Sequence, residues 1–412
     1  MSSFPQIIKS LKSTPMSLAD MQLLTQVSLP TLRKAVQQLT DARWIRVVGQ
    51  SEANGGRPPM LYGLDDSYFV VLGVHLQLPG IRLTLCDLSG NVLDELEVFE
   101  GTTPNPDEAV QAVINYTIDV RSRFDERQLI GIGIAAPGFT DPETGNIISI
   151  GRVLGWRDFP ICRRLEEALD QPTQIANDVD CMAFAEFQHT GKSLENNLTY
   201  VGFDEGVKVS MFLNGELYKG SFGNAGLIMN RFPQVVNADV PADDQHQFLT
   251  LSGINTIFER EVANLTRDEQ SQYLPMLQAG YRERLMMILQ DAYARLPICQ
   301  KLTNMLITVL ASAVANTIYV IQPDTVVLGG FLSGMSDGTF TKLSAAIREN
   351  LPTLFANHIQ IEQAQLFSPN TAALGAAHHF IERYLVPENF SISRPMLQKD
   401  LDYGKVQASS DD

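Results

Sequence analysis

Asn177 and Asp178 end the apolar run Ile175-Ala176 and head the segment Val179-Asp-Cys-Met-Ala-Phe-Ala-Glu186, which reads as a helix. A carboxylate at a strand-to-helix junction sits where open α/β sheets gather ligand groups. Two chemistries suit Asp178 there: taking a proton from the hydroxyl of a small polyhydroxylated substrate, or holding that hydroxyl without reaction. A second group of residues suits a different ligand. Thr31, Arg33, Lys34 and Gln37 follow Ser28 on the polar face of a helical run whose opposite stripe is Leu32, Val36 and Leu39. Such a helix is seated by its stripe and turns its polar face toward phosphates and base edges. Arg57 follows in the loop 49–59, with Gly55 and Gly56 before it and Pro58 and Pro59 after it. An arginine held extended in this way suits a narrow minor groove.

Positioning these groups requires regular elements, and the apolar periodicity supplies them. Residues 4–12 and 17–24 read as two short helices ahead of the 28–39 helix, where Ser28 stands as N-cap with Pro30 in the first turn. Strand-like runs at 44–48 and 60–64 flank the loop 49–59 as a wing. Beyond Asp65 come three strands, 68–76, 81–88 and 92–99, with Leu88-Ser-Gly-Asn91 as a hairpin turn. A helix over 106–123 leads to a buried strand at 129–135 and a turn-rich loop at 136–145. The plan recurs from Asn197, with strands 198–203, 207–213 and 216–218, a helix over 303–321 and a strand 325–328 ending in Gly329-Gly330. Asn214-Gly215 joins the second and third of these strands. Two β-β-β-α-β units separated by a largely helical insertion predict two similar lobes.

Length and composition agree with this plan. At 412 residues and 44 % apolar the chain can form two or three domains with their own cores. The N-terminus has no signal-peptide pattern and no stretch of roughly 18 uninterrupted apolar residues is present, so a cytoplasmic protein with no membrane insertion is expected. Cys86, Cys162, Cys181 and Cys299 are scattered through apolar segments, which suggests buried thiols rather than a disulfide framework or a cysteine metal site. The net charge of −16 argues against polyanion binding by the whole molecule. Residues 1–65, however, carry seven Lys and Arg against four Asp and Glu, a head of +3 on a remainder of −19. Phosphate contacts are therefore expected only at the head.

Several motifs in order carry a family likeness. They are Gly55-Gly-Arg-Pro58, Gly131-Ile-Gly-Ile-Ala-Ala-Pro-Gly138 with Asp141-Pro-Glu-Thr-Gly145, Gly155-Trp156, Asn177-Asp178, Asn214-Gly-Glu-Leu-Tyr218 with Gly220, Ala225-Gly226, and Val326-Val-Leu-Gly-Gly330. From Ser28 to Leu374-Gly-Ala-Ala377 the chain resembles the ROK family (repressors, open reading frames and kinases), in particular its regulators of sugar genes such as xylose and N-acetylglucosamine repressors. The resemblance implies an actin-like sugar-kinase fold behind a winged helix-turn-helix. In the family's kinases the Asp of the Asn-Asp pair accepts the proton of the sugar hydroxyl.

Against that pattern the nucleotide cradle is altered. The family's first phosphate loop, Asp-x-Gly-Gly-Thr-Lys, falls on His75-Leu-Gln-Leu-Pro-Gly80. Its second, Gly-Thr-Gly-x-Gly, falls on Asp204-Glu-Gly-Val-Lys208, placing two carboxylates beside the expected phosphates, with Lys208 able to offset one. Like charges about 4 Å apart repel by about 4 kcal/mol at an effective dielectric near 20. Only Gly329-Gly330, on the family's adenosine side, is kept, and it also reads as a tight turn. The family's Gly-Glu-Ile-Gly-His becomes Gly226-Leu-Ile-Met-Asn230, so the zinc-binding His is Asn230, and no Cys lies between Cys181 and Cys299 to complete that site. The family's downstream sugar-binding Glu falls near Phe248. His75 reads as a core or rim histidine, Trp156 as a packing residue, Asp180 as a helix cap, and His378-His379 as a pair diverging on a helix.

The expectations are therefore specific. The fold class is α/β: a winged helix-turn-helix over 1–65, a first actin-like lobe over 66–190 onto which a C-terminal helix over 371–386 packs back, a second lobe over 191–386 with the insertion 231–309, and a polar, loosely held tail over 387–412. The function is that of a DNA-binding transcriptional regulator of carbohydrate uptake or catabolism genes, with repression as the sign implied by the family. Ser28, Thr31, Arg33, Lys34, Gln37 and Arg57 would contact a double-stranded operator. Gly138, Asn177, Asp178 and Asn230 would hold a sugar-like effector. No catalytic residue, metal or cofactor is expected, and the protein is expected to act as a homodimer or dimer of dimers. The alternatives are an ATP-dependent sugar kinase, and a regulator whose body only dimerises and docks a protein partner.

Overall fold

Ser17 and Asp20 close a reciprocal capping box at the start of the helix Leu18–Thr25. Each thereby satisfies a backbone N–H that the first helical turn leaves without a partner. This helix, the helix Phe4–Ser10 before it and the helix Leu29–Asp41 after it pack through Ile7, Ile8, Met21, Leu32, Val36 and Leu39, all buried. An antiparallel pair, Ile45–Gln50 with Met60–Leu64, completes the head. The computed structural model describes residues 4–12, 14–52, 58–151, 153–191, 197–204, 206–228, 250–386 and 389–392. Arg57, Glu205, Asn230, Phe248, the tip of the wing, residues 231–249 of the insertion and the tail from 393 lie outside the described residues.

The chain divides into two compact units, Met1–Ala185 with Pro369–Asp412, and Glu186–Ser368. The first takes in the head, whereas the sequence set residues 1–65 apart as a domain and drew the next boundary at 190/191. The sheet of the first unit runs Thr173–Asn177, Gln128–Ala136, Phe69–His75, Ile81–Asp87, Val92–Val98, its first three strands parallel and the rest antiparallel. The sheet of the second unit runs Glu216–Leu217, Val207–Leu213, Leu198–Phe203, Thr325–Gly330, Gln360–Gln363, with the same senses in mirrored order of listing. The repeat legible in sequence is thus a repeat of topology. Asn214 and Gly215 both have positive φ, 53° and 84°, the backbone that a two-residue hairpin needs.

Three expectations require correction. Residues 136–145 are not simply a loop: Phe139–Asp141 pairs with Asn146–Ser149, which pairs with Arg157–Phe159. The helix of the second copy begins at Pro297, so the insertion boundary at 309 cuts a continuous helix, Pro297–Ile321. That helix is long and apolar enough to cross a membrane by length and composition, unlike the expectation from uninterrupted runs, but Leu302, Leu306, Leu310, Val314 and Ile318 seat it in the core of the second unit. Thirdly, the start of the tail is packed. Trp44 Nε1 donates to the Ile392 carbonyl at 3.3 Å, Tyr384 Oη donates to the Ser391 carbonyl at 2.7 Å, and the Phe390 ring lies 5.2 Å from that of Trp44. Two aromatic donors, one from the head and one from the helix before the tail, together with the Phe390 ring hold the start of this otherwise polar stretch in place.

The C-terminal helix Thr371–Tyr384 lies against the first sheet. Its approach explains the glycine pattern of the strand Gln128–Ala136. Gly131 and Gly133 share one face of the strand, where a Cβ at Gly133 would overlap the Ala376 carbonyl and one at Gly131 would overlap the Phe380 ring. His378 and His379 do diverge. His378 abuts the hairpin at Gly90, and His379 packs on Phe184 with 5.1 Å between rings.

Burial pushes His378 down to about 4, with the Lys12 charge adding to the effect. An ordinary His titrates near about 6.5, so the unfolded chain takes up this proton over a window in which the folded chain does not. Stability is therefore lost as pH falls from about 6.5 to about 4, by about 3 kcal/mol for this group. Urea midpoints at pH 7 and pH 4.5 are expected to fall less in His378→Gln than in the wild type.

Candidate functional site

The head sorts its cations by partner. Lys9 and Lys12 both pair with Glu382, at 3.2 and 2.6 Å, and Arg43 pairs with Asp65 at 3.6 Å while lying over the Tyr68 ring. Arg46 lies within electrostatic reach of Asp66. Arg33 and Lys34 are exposed on the helix Leu29–Asp41 and have no ion-pair partner among the described residues. They stand opposite the buried Leu32, Ala35, Val36 and Leu39, so the stripe that seats the helix also fixes which way they face. Thr31 and Gln37 are exposed on the same side. Ser28 is at the N-cap, but its hydroxyl meets that of Thr31 at 2.8 Å and makes no capping bond to the backbone. Gln37 Nε2 donates to Asp41 at 2.7 Å, an exposed bond that a stronger acceptor can replace.

The second site lies in the first unit, where strand register brings the ends of parallel strands together. His75 is paired with Ala135, and Ala135 with Ala176, next to Asn177. Asp178 then opens the helix Asp178–Thr190. The N–H of Val179 is shared between Asn177 Oδ1 at 3.0 Å and Asp178 Oδ1 at 2.8 Å, so these two residues cap the first turn of the helix. Asn177 Nδ2 donates to the Gly138 carbonyl at 3.3 Å. Gly138, with φ 78°, occupies a place where a Cβ would overlap the Ser149 carbonyl. Both ends of the Asn177 amide are therefore engaged in joining strand, helix and loop. Asp178 Oδ2 remains on the other side, 4.0 Å from His75 Nε2, with His75 and Asp178 1 % and 7 % exposed. The separation exceeds a hydrogen bond, and one small oxygen can bridge such a gap. His75 was legible only as a buried histidine, because its partner is far along the chain. Its signal was its place at the end of a strand parallel to the Asn-Asp strand. Trp156 is buried and donates to the Pro104 carbonyl at 3.1 Å, which leaves its ring to packing.

In the second unit, residues aligned with a nucleotide cradle are engaged by other side chains of the same unit. Asp204 is paired with Arg282 at 2.6 Å, and the Arg282 guanidinium lies 5.5 Å from the Phe331 ring centroid. Arg282 was not found from sequence, where Lys208 was offered as the compensating charge. Lys208 is buried in the strand Val207–Leu213, opposite Gly202 and Leu227. Gly330 N–H donates to Tyr200 Oη at 3.0 Å, and a Cβ at Gly329 would overlap the Tyr200 ring. The glycine pair thus makes room for a buried tyrosine as well as for the turn at Gly330, where φ is 63°. Among the described residues no group of three or more His, Cys, Asp or Glu is placed to hold a metal ion. All four cysteines are buried and none forms a disulfide.

Comparison with known proteins agrees with this anatomy. The model of the ROK family matches residues 71–228. A candidate xylose repressor of Caldicellulosiruptor sp. (strain Rt8B.4) is 22 % identical over 362 residues, covering 85 % of this chain and 88 % of that protein. The crystal structure of a ROK family transcriptional regulator, a homologue of the E. coli MLC protein, superposes with a TM-score of 0.75 at 17 % identity, covering 93 % of this chain and 96 % of that one. A ROK family glucokinase from Streptomyces griseus, crystallised with glucose and AMPPNP, gives a TM-score of 0.61 at 18 % identity, covering 98 % of its own chain but 75 % of this one. The actin-like sugar-kinase fold of the body is common to both structures, and the regulator also matches chain that the kinase leaves uncovered. The chain thus matches the ROK family model over residues 71–228 and is similar over most of its length to transcriptional regulators of that family, a family that includes kinases.

Proposed function

We propose that the chain is a DNA-binding transcriptional regulator, of repressor sign, of carbohydrate uptake or catabolism genes, acting in the cytoplasm as a homodimer or dimer of dimers. The observation that carries this reading is the helix Leu29–Asp41, which presents Arg33 and Lys34 unpaired and outward while the other described cations of the head have acidic neighbours within the protein. Thr31, Gln37 and Ser28 add neutral donors and acceptors on that helix, and Arg57 of the wing would enter the minor groove. A twofold protein would set two such helices on half-sites about one turn of the duplex apart. The body would sense a sugar-like effector through Asp178, with Asn177 and Gly138 shaping the site and Asn230 contributing a further amide. Effector and operator would then alter each other's affinity by the same factor.

The body is not a kinase in this reading. A phosphoryl donor needs a phosphate cradle, and here two of the aligned residues are engaged within the protein, Asp204 by Arg282 and Gly330 by Tyr200. Full-length protein offered a random pool of duplexes should enrich a palindromic sequence, and failure to enrich any sequence would sink the regulator reading. Incubation with ATP and D-glucose, D-xylose or N-acetylglucosamine should yield no sugar phosphate. Phosphorylation that disappears in Asp178→Asn would instead establish a kinase.

A further inference from the structure

We infer that the C-terminal helix Thr371–Tyr384 is a rigid relay between the Asp178 helix and the DNA-binding head, with Glu382 as the positioning residue at its head end. The inference deepens the proposed function, since it names how occupancy at Asp178 would reach Arg33 and Lys34.

The relay has several contacts at each end, all within the first unit. At the ligand end, Gly375 lies so close to the helix Asp178–Thr190 that a Cβ there would overlap the Cys181 carbonyl, one turn after Asp178. Four residues further along the relay, His379 packs its ring 5.1 Å from that of Phe184. Contacts at 181 with 375 and at 184 with 379 follow helical spacing, so the two helices are locked in register and not merely touching. A shift of the Asp178 helix therefore cannot be absorbed by a loose side chain at Gly375, where backbone meets backbone.

Along its length the relay is held to the sheet by the same kind of contact. Gly73 and Gly133 leave room for the carbonyls of Ala373 and Ala376, and Gly131 for the Phe380 ring.

At the head end, Phe380, Ile381, Tyr384 and Leu385 share one buried cluster with Ile7, Ile8, Leu11, Met21, Leu32, Val36 and Leu39. Leu32, Val36 and Leu39 are the stripe that aims Arg33 and Lys34. Glu382 receives both Lys9 and Lys12, and their charges hold its carboxyl below the usual carboxylate range despite burial. Tyr384 stacks at 5.9 Å on Trp44, at the base of the wing. One element thus touches the Asp178 helix and both parts of the head, a contiguous packed path of the kind through which coupling can travel.

Hydrogen–deuterium exchange on the full-length protein tests this without needing DNA or an effector, so failure here is distinct from failure of the proposed function. Asp178→Ala removes a cap from the ligand helix. Exchange should quicken by about threefold or more in Phe4–Ser10 and Leu29–Asp41 as well as in Asp178–Thr190. Coupling is reciprocal, so Glu382→Gln, a change at a partly exposed residue, should alter exchange in Asp178–Thr190 to a similar degree. The inference is overturned if Asp178→Ala loosens its own helix while the head keeps wild-type exchange. It is equally overturned if Glu382→Gln changes the head alone.

Discussion

Replacing Arg33 and Lys34 together by Ala is expected to weaken binding to the selected duplex by about 1–3 kcal/mol, roughly fivefold to 150-fold. Each lost phosphate contact should also lower the slope of log affinity against log salt by about 0.9. Both side chains are exposed on the helix Leu29–Asp41 and carry no ion pair among the described residues, so the fold should be untouched, with stability changed by less than about 0.5 kcal/mol. Anisotropy titrations at several salt concentrations separate two contributions. Equal losses on selected and scrambled duplexes would identify phosphate contacts, and a larger loss on the selected duplex would identify base readout. Lys9→Ala is the contrasting variant, because Lys9 is turned to Glu382. Unchanged affinity and slope in the Arg33, Lys34 double variant would remove this helix from the interface.

Trp44→Ala is expected to destabilise the first unit by about 3–5 kcal/mol, the range for truncating a buried large aromatic. Trp44 is 1 % exposed and its ring meets those of Phe69, Tyr384 and Phe390 at 4.2, 5.9 and 5.2 Å. These neighbours come from the first sheet, the C-terminal helix and the tail, so the cavity would open where three segments join. Phe390→Ala should cost less, about 1–3 kcal/mol, since its ring is only partly buried. Urea unfolding reports both. A Phe390→Ala midpoint equal to wild type would mean that the tail contributes nothing to the junction, returning it to the loose segment read from sequence.

The same junction marks the limit of what was readable along the chain. Strand and helix identities were legible because period-2 and period-3.6 apolar patterns are local, and the helix at 106–123 coincides with Pro106–Arg123. The repeat was legible for the same reason, as was the hairpin at Asn214-Gly215, whose backbone demands those residue types. The packed tail was missed because one phenylalanine and one isoleucine in a polar stretch form no period, and their partner, Trp44, lies about 350 residues earlier in sequence. The small sheet at 139–159 was missed because strands of three and four residues are too short to show alternation.

For the candidate sites, the sequence alone determined the chemical types: Arg33 and Lys34 against an apolar stripe, and Asn177-Asp178 at a strand-to-helix junction. It also carried the likeness to ROK regulators, whose fold the comparisons share. Tertiary structure alone decided the partners. It set His75 beside Asp178, engaged both ends of the Asn177 amide, paired Asp204 with Arg282, tied Lys9 and Lys12 to Glu382, and used Gly131 and Gly133 to admit a helix. The physical reason is range. Periodicity and turn chemistry are written in neighbouring residues, whereas charge pairing and backbone approach depend on which distant segments folding brings within a few ångströms.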